Sequence, residues 1–410
     1  MLRRNLNLLI VGCVLTVLLI PGCSMFVPTP APVTISFVHP EDRTGSYTLW
    51  AQQFQERYPH VTVELVSRSG LSGGQVLSYD GFVASQFEMA GYVQQQAIVD
   101  LSAFLDETED LDTADFYPLA FQAFASQGRQ WALPFGIDMA MIYYNRDVFD
   151  RYSTPYPQVG WDWGDFLDCA LGTTDPDADV FGYALQLEGE FAIYEPAMMI
   201  YQHGGRIFDS LQAPTTVTLD DPLNIEAMEF YASLLFRHHV APTHEDAQRL
   251  GRPYPWRGVW DGRFAMWMSL YSERGGLNWP APWEMNWGIV PMPRDQSAST
   301  LAIADGLFIS SASEHPDVVW SWLAFVSQQL PPFQMPARRS VAESVAYEQQ
   351  VGGDVAAAAR AALTEAVLVN PTLLGFDAAM NAMAEAFAQI RTGEVTPDIA
   401  LSTAQERSGF

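Results

Sequence analysis

Lysine is missing from this chain: all 21 basic residues are arginine, set against 48 Asp and Glu for a net charge of −27 over 410 residues. Its absence excludes chemistry that needs a primary amine, such as a lysine Schiff base, a P-loop or a Ser-Lys dyad. The acidic excess repels nucleic acid and anionic lipid surfaces, so no nucleic-acid partner is expected. Cysteine is scarce too, with only Cys13, Cys23 and Cys169. No zincin spacing occurs. His238, His239 and His244 with Glu245 crowd one predicted helix end, where adjacent side chains diverge, so they read as surface residues and no metal or cofactor is expected. Internal repeats and low-complexity domains are also missing, which argues against a structural array or adhesin. What remains is a chain of 49% hydrophobic content, able to bury a sizeable core and long enough for two or three domain-sized units.

The N-terminus carries Arg3 and Arg4, then a mostly apolar run from Leu6 to Ile20. That is the layout of a secretory signal, and the run is shorter than the roughly 20 residues a spanning helix takes. In "PGCSMFVPTPAPVT" Gly22 stands directly before Cys23, and the segment resembles a bacterial lipoprotein signal. The resemblance implies that residues 1–22 are removed, that Cys23 becomes the lipidated first residue, and that the protein is held extracytoplasmically at the cell membrane. Residues 23–32 then act as a proline-rich tether, since such sequences are extended spacers. Loss of the signal leaves 19 arginines against 48 acids, a net charge of −29. Cys13 departs with it, so Cys169 in "DWGDFLDCAL" has no disulfide partner. Flanked by apolar neighbours on a predicted helix, it is expected to be a buried, inert thiol.

Downstream, "VTISFV" and "VTVELV" alternate and are β-branched, while "GSYTLWAQQFQERYP" sets Tyr47, Trp50, Phe54 and Tyr58 on one helical stripe. The spacing predicts strand, helix, strand, with Pro59 stopping the helix, which is the crossover of parallel α/β architecture. "GFVAS" predicts a short third strand. Helices are predicted through "FEMAGYVQQQAI" and near Phe116 to Ala125, and then "QWALPF" leads into "DMAMIYYN". Later helices are longer, as in "DPLNIEAMEFYASLLFRHH", and aromatics crowd "YPWRGVWDGRFAMWMSLY" and "LNWPAPWEMNW". A further strand and helix follow in "ADGLFISS" and "HPDVVWSWLAFVSQQ".

The order of these segments resembles the family 1 extracellular solute-binding proteins, the maltose- and sugar-binding lipoproteins of ABC importers. The likeness covers nearly the whole mature chain. It rests on "TISFVH" followed by "WAQQFQERYPHVTVELV", on "ALPFGIDMAMIYYNRDVF", "MIYQHGGRIFD", "WDGRFAMWMS", "WGIVPMP" and "ADGLFISSASEHPDVVWSWLAFV". It implies a periplasmic-binding-protein-like α/β fold with two α/β lobes joined by hinge strands and a ligand cleft between them. Chain order then assigns 33–136 and 302–331 to the N-terminal lobe and 137–301 and 332–410 to the C-terminal lobe. The implied function is capture of a saccharide, an oligosaccharide being favoured, by a monomer that delivers it to ABC transporter permease subunits without catalysis. Abundant Trp and Tyr fit this reading independently, because ring faces stack on pyranoses while carboxylates and amides accept hydroxyl hydrogen bonds.

Residue by residue, the resemblance places Asp138 where the family often has a ligand-facing acid at the first hinge crossing. The loop after the first strand, with His39, Asp42 and Arg43, lies at the carboxyl end of a parallel strand, where open α/β sheets bind ligands. Ser85, Gln86 and Glu88 follow the next strand. Tyr194 matches an aromatic that stacks on ligand in maltose-binding relatives. "FAMWMSLYS" brings Trp267, Ser269, Tyr271 and Ser272 to the cleft side of a strand end, Trp283 in a Pro-flanked loop is the expected exposed platform, Asp305 begins the returning strand, and Arg338 follows a cleft-side motif.

Two enzymatic readings compete. "GLSGG" fits a nucleophile elbow around Ser72, but the elbow needs a helix directly after the serine, and "QVLSYDGF" reads by its pattern as running on into the next strand, so a glycine loop is expected. The alternative function is a secreted glycoside hydrolase, which needs only two carboxylates. A barrel hydrolase should show repeated βα units with acids at strand ends. This chain instead leaves one α/β region, builds a second, and returns.

Overall fold

The computed structural model describes residues 31–41, 45–210, 215–250, 254–368 and 377–408. The signal, Cys23, Asp42 and Arg43 lie outside the described residues. In chain order the strands are β1 (Val33–His39), β2 (Val61–Ser67), β3 (Gly81–Ser85), β4 (Ala125–Ser126), β5 (Arg129–Gln130) and β6 (Leu133–Asn145). They continue as β7 (Phe181–Ala184), β8 (Phe264–Leu270), β9 (Trp287–Val290), β10 (Thr300–Ile309), β11 (Met335–Pro336) and β12 (Ala366–Leu368).

The first βαβ unit forms as its pattern requires. Strands β1 and β2 pair in parallel, Val33 opposite Val61, and the helix Ser46–Arg57 buries Tyr47, Trp50 and Phe54. Next to them lies β3, parallel to β1, and the sheet order runs β2-β1-β3-β10-β6-β8-β7. Two helices are shorter than their sequence patterns suggest. The helix after β3 covers Gln86–Gln94 and stops where Gln96 takes a positive φ of 54°. The one near Phe116 covers Pro118–Ala123.

The strand β6 joins the two halves of the molecule. Its first part, Leu133 to Met139, pairs antiparallel with β10, and its second part, Ala140 to Asn145, pairs with β8 and β9. All thirteen residues are buried, so both faces are covered and the polar/apolar alternation of a half-exposed strand is lost. Phe135, Ile137, Met139, Met141 and Tyr143 enter one hydrophobic core, while Ala140, Ile142 and Tyr144 enter a second. The return strand β10 pairs with β3 and β6, and its first residues also pair with β12. The result is a mixed α/β fold in two sheets that share β6, with β4 and β5 paired apart from them as a two-stranded ribbon. Among the described residues no helix is long and apolar enough to cross a membrane.

Two further expectations change. Ser72 does precede a helix, the single turn Gly73–Val76. Its backbone N–H donates to Gln75 Oε1 at 2.9 Å, and its hydroxyl accepts from the Gln75 N–H at 3.4 Å. The serine is an exposed N-cap in a capping box, a role that fits Ser and Gln at this spacing. Cys169 is only half-buried, not fully enclosed, and burial still pushes its thiol up to about 11, which keeps it protonated and unreactive at neutral pH.

Candidate functional site

Cross-strand partners in an antiparallel pair share a face of the sheet. Asp138 on β6 lies opposite Ile303 on β10, and Gly136 lies opposite Asp305. Leu301, Ile303 and Asp305 alternate along β10 and therefore point to that same face. It sits where the strand ends of the two sheets meet. One end of the face is polar and the other apolar.

At the polar end, Asp138 is 8% exposed. Its Oδ1 accepts the backbone N–H of Ser272 at 2.9 Å and that of Met139 at 3.0 Å. Burial pushes the Asp138 carboxyl up to about 6, against hydrogen bonding from Ser272, and the charges of Asp305 and Glu273 add to the rise. Burial also raises Asp305, which accepts a hydrogen bond from the side-chain amide of Gln334. Gln334 lies directly over Gly136. A Cβ there would stand 2.7 Å from Gln334 Oε1, so the absence of a side chain makes room for the amide that holds Asp305.

Beside this pair, the end of β3 presents Ser85, whose N–H donates to Glu88 at 3.3 Å. Glu88 also accepts from the Tyr92 hydroxyl at 2.8 Å and is ion-paired with Arg68. Arg68 is fixed in turn by its bond to the Val83 carbonyl at 2.7 Å. Burial, with the Glu88 carboxylate, pushes the Tyr92 phenol up to about 12, so it stays a donor. At the end of β1, the His39 ring stacks on Tyr47 with centroids 4.6 Å apart.

At the apolar end, the helix Phe191–Gln202 supplies Tyr194 and Met198 to a cavity whose other walls include Leu301, Leu368, Met380 and Met383. Tyr194 and Asp138 are thereby connected along one strand face, through Leu301 and Ile303. Burial raises the Tyr194 phenol, and Glu190 adds to it.

Five residues singled out from the sequence are engaged elsewhere. Gln86 is 1% exposed and accepts the Ala304 N–H at 2.8 Å, which places it inside the sheet edge. Trp267 is completely buried, and Trp283, the expected exposed platform, is only 6% exposed. Their rings pack edge-to-face, with centroids 5.1 Å apart, in a cluster with Trp279, Trp287 and Tyr143. A Pro-flanked loop suggests exposure, but indoles carry enough apolar area to be drawn under the surface. Tyr271 is buried, with its hydroxyl 2.6 Å from that of Tyr347 and Arg274 stacked on its ring. Arg338 pairs with Asp115 at 2.7 Å and lies against Phe116.

Arg68, Gln334 and Leu301 join the site without having been singled out by sequence, whereas Ser272, placed by sequence at the cleft side of its strand end, reaches it through its backbone N–H bond to Asp138. Only Leu301 left a signal, the Leu-x-Ile-x-Asp alternation of "TLAIADG". The other two depend on contacts between segments far apart in the chain.

A two-sheet α/β fold with a shared crossing strand and a mixed polar and apolar floor is the setting in which comparison with known proteins becomes decisive. Residues 40–328 match the family model described as bacterial extracellular solute-binding protein. The chain belongs to that family. Its architecture resembles an ABC substrate-binding protein from Listeria monocytogenes, solved in complex with cycloalternan, at a TM-score of 0.74 and 19% identity, covering 92% of this chain and 98% of the other. It also resembles the sugar-binding protein MalE of the phytopathogen Xanthomonas citri, at a TM-score of 0.75 and 16% identity, covering 92% and 97%. Among curated proteins, the arabinooligosaccharide-binding protein of Halalkalibacterium halodurans is 21% identical over 126 residues. That match spans 31% of this chain and about a quarter of the relative, 26% of its length. The binding protein thus has the fold and the extracytoplasmic setting of its family, whose members serve as binding components.

Proposed function

We propose that this protein is the lipid-anchored substrate-binding component of an ABC importer. It captures a saccharide in the cleft over β6 and β10 and hands it to the permease subunits. The observation that carries this reading is the shared strand face. Carboxylates and an amide at Asp138, Asp305 and Gln334 suit sugar hydroxyls, while Tyr194 offers a ring to a pyranose face. Support also comes from relatives whose ligands are named as sugars, among them a maltose-bound protein of T. maritima. His39, Ser85 and Glu88 would contact the ligand from the first sheet, with Asp42 and Arg43 on the adjoining loop. The lobes would divide as the chain order implies, near 136–137 and 301–302, with a further exchange near 331–332. Cys23 would carry the lipid, and the protein would act as a monomer.

Ligand would then select a closed state in which both lobes cover the sugar. The test is a thermal-shift screen against mono-, di- and oligosaccharides, followed by solution scattering with the best ligand. A saccharide at 100 times its Kd should add about 2.7 kcal/mol of stability and reduce the radius of gyration. If no saccharide stabilises the protein, the reading is wrong; steady release of reducing ends would establish a glycoside hydrolase instead.

A further inference from the structure

The apolar end of the strand face is drier than a sugar ring requires. Its cavity measures about 60 Å³, room on this measure for roughly four to six waters. Yet the walls offer those waters few partners. Tyr194, Met198, Leu301, Leu368, Met380 and Met383 are among its walls, with further apolar side chains at Ile207 and Phe208. Among the described residues hydroxyls border it at Tyr194, Tyr201, Ser299 and Thr300, and of these Thr300 already donates to the Ala140 carbonyl at 2.5 Å and Ser299 is bonded to Ser297 at 2.7 Å. A water needs two to four polar partners to be stable in such a space, and an apolar cavity without them favours an apolar occupant.

Three methionine or leucine side chains, Met198, Met380 and Leu301, stand where hydroxyl-recognising groups would be expected if a sugar ring filled the space. The polar end starts close by. Asp305 is four residues along β10 from Leu301, roughly 13 Å at strand rise, and Ile303 bridges the two on the same face. That is the span of one sugar residue plus one ring-sized substituent.

Resting on the saccharide reading above, we infer that the ligand is a glycoside with an apolar aglycone of about one ring. Its sugar hydroxyls sit at Asp138, Asp305 and Gln334, and its aglycone enters the cavity bounded by Tyr194, Met198, Leu301 and Met383. The test compares matched phenyl and methyl glycosides of glucose, galactose, arabinose and maltose by calorimetry. It runs on the full mature protein, with methyl-labelled methionines observed by NMR.

For the sugar that binds, the phenyl glycoside should bind roughly ten- to thirtyfold tighter than the methyl one. It should also shift the Met198, Met380 and Met383 methyl signals. In Met383→Asn the phenyl-to-methyl ratio should fall towards one. Equal affinities of the two glycosides in the wild type would overturn this inference and leave the saccharide reading standing. Unshifted methionine signals on phenyl-glycoside binding would overturn it as well, because the cavity would then belong to the chain's own residues. If no glycoside binds, the saccharide reading falls and takes the inference with it.

Discussion

Replacing Asp138 by Asn should make the protein more stable and a poorer binder, in a way that depends on pH. A solvated cleft carboxylate would leave the melting temperature unchanged, but Asp138 is buried on β6 and burial pushes it from 3.8 up to about 6. Its carboxyl is therefore protonated more readily in the folded state than in the unfolded chain. Below about pH 4 both states carry the proton and no penalty exists. As pH rises from 4 to 6 the unfolded chain ionises first, so stability falls, and above 6 the full loss is reached. A rise of that size corresponds to about 3 kcal/mol. Asn keeps an oxygen to accept the Ser272 and Met139 N–H groups and removes the ionisation. Urea melts of wild type and Asp138→Asn from pH 4 to 8 should diverge between 4 and 6, with the variant ahead by up to about 3 kcal/mol at neutral pH. Its saccharide affinity should drop by about 1.5–3 kcal/mol, the range for a hydrogen bond to a charged group. Parallel stability curves would refute the burial argument, and unchanged affinity would remove Asp138 from the site.

A second buried acid behaves alike. Glu195 on the helix Phe191–Gln202 is fully buried and pushed up to about 7 by burial, against hydrogen bonds from the Tyr183 hydroxyl and the Gln186 N–H and the charge of Arg391. Native stability should therefore fall as pH rises from about 4.5 to 7, and Glu195→Gln should flatten that slope in melts across the range. Gly136→Ala should cost about 1–3 kcal/mol of stability through overpacking against Gln334. It should also weaken ligand binding, since Gln334 must leave Asp305; denaturant melts and calorimetry check both effects. Cys23→Ser should release the protein from the membrane fraction, and mass spectrometry of the wild-type N-terminus should find acyl chains; a variant that stays membrane-bound removes the lipid anchor.

Much of the fold is legible in the sequence because it rests on local pattern. The stripe of Tyr47, Trp50 and Phe54 and the alternation in β1 and β2 specify a βαβ unit without reference to the rest of the chain. The crossing at Asp138 is legible for a different reason, the likeness of "PFGIDMAMIYYN" to a known motif. Its thirteen buried residues carry no alternation of their own. Sequence misleads on the aromatic contacts, where exposure has to be judged. Tyr271 and Trp283 sit in polar or Pro-rich surroundings along the chain and Trp267 near a strand end, but in space they meet Tyr143, Trp279, Trp287 and Tyr347. Sequence proximity says which residues are near a strand end. It does not say which side of the strand is filled by a helix from a hundred residues away.

The same distinction explains why one strand carries so much of the candidate site. In β10, Ala302 and Ala304 are buried in the cores, whereas Leu301, Ile303 and Asp305 on the alternate face are only partly buried. Alternation thus lets ten residues seal the core on one face and leave the other for the proposed ligand floor. The strand also bonds to β6 on one side and to β3 and then β12 on the other. A substitution on the floor therefore acts at the point where the two sheets are joined. On the proposed binding mode, stiffness of the crossing and recognition of ligand would be coupled. The Ser272 N–H bond to Asp138 ties the second sheet's strand end to this floor, while Gln334 and the Arg68–Glu88 pair brace the first sheet's side of it. If ligand binds at Asp138 and Asp305 as proposed, movement between the sheets would occur about residues that also face it, and binding there would bias the position of both lobes.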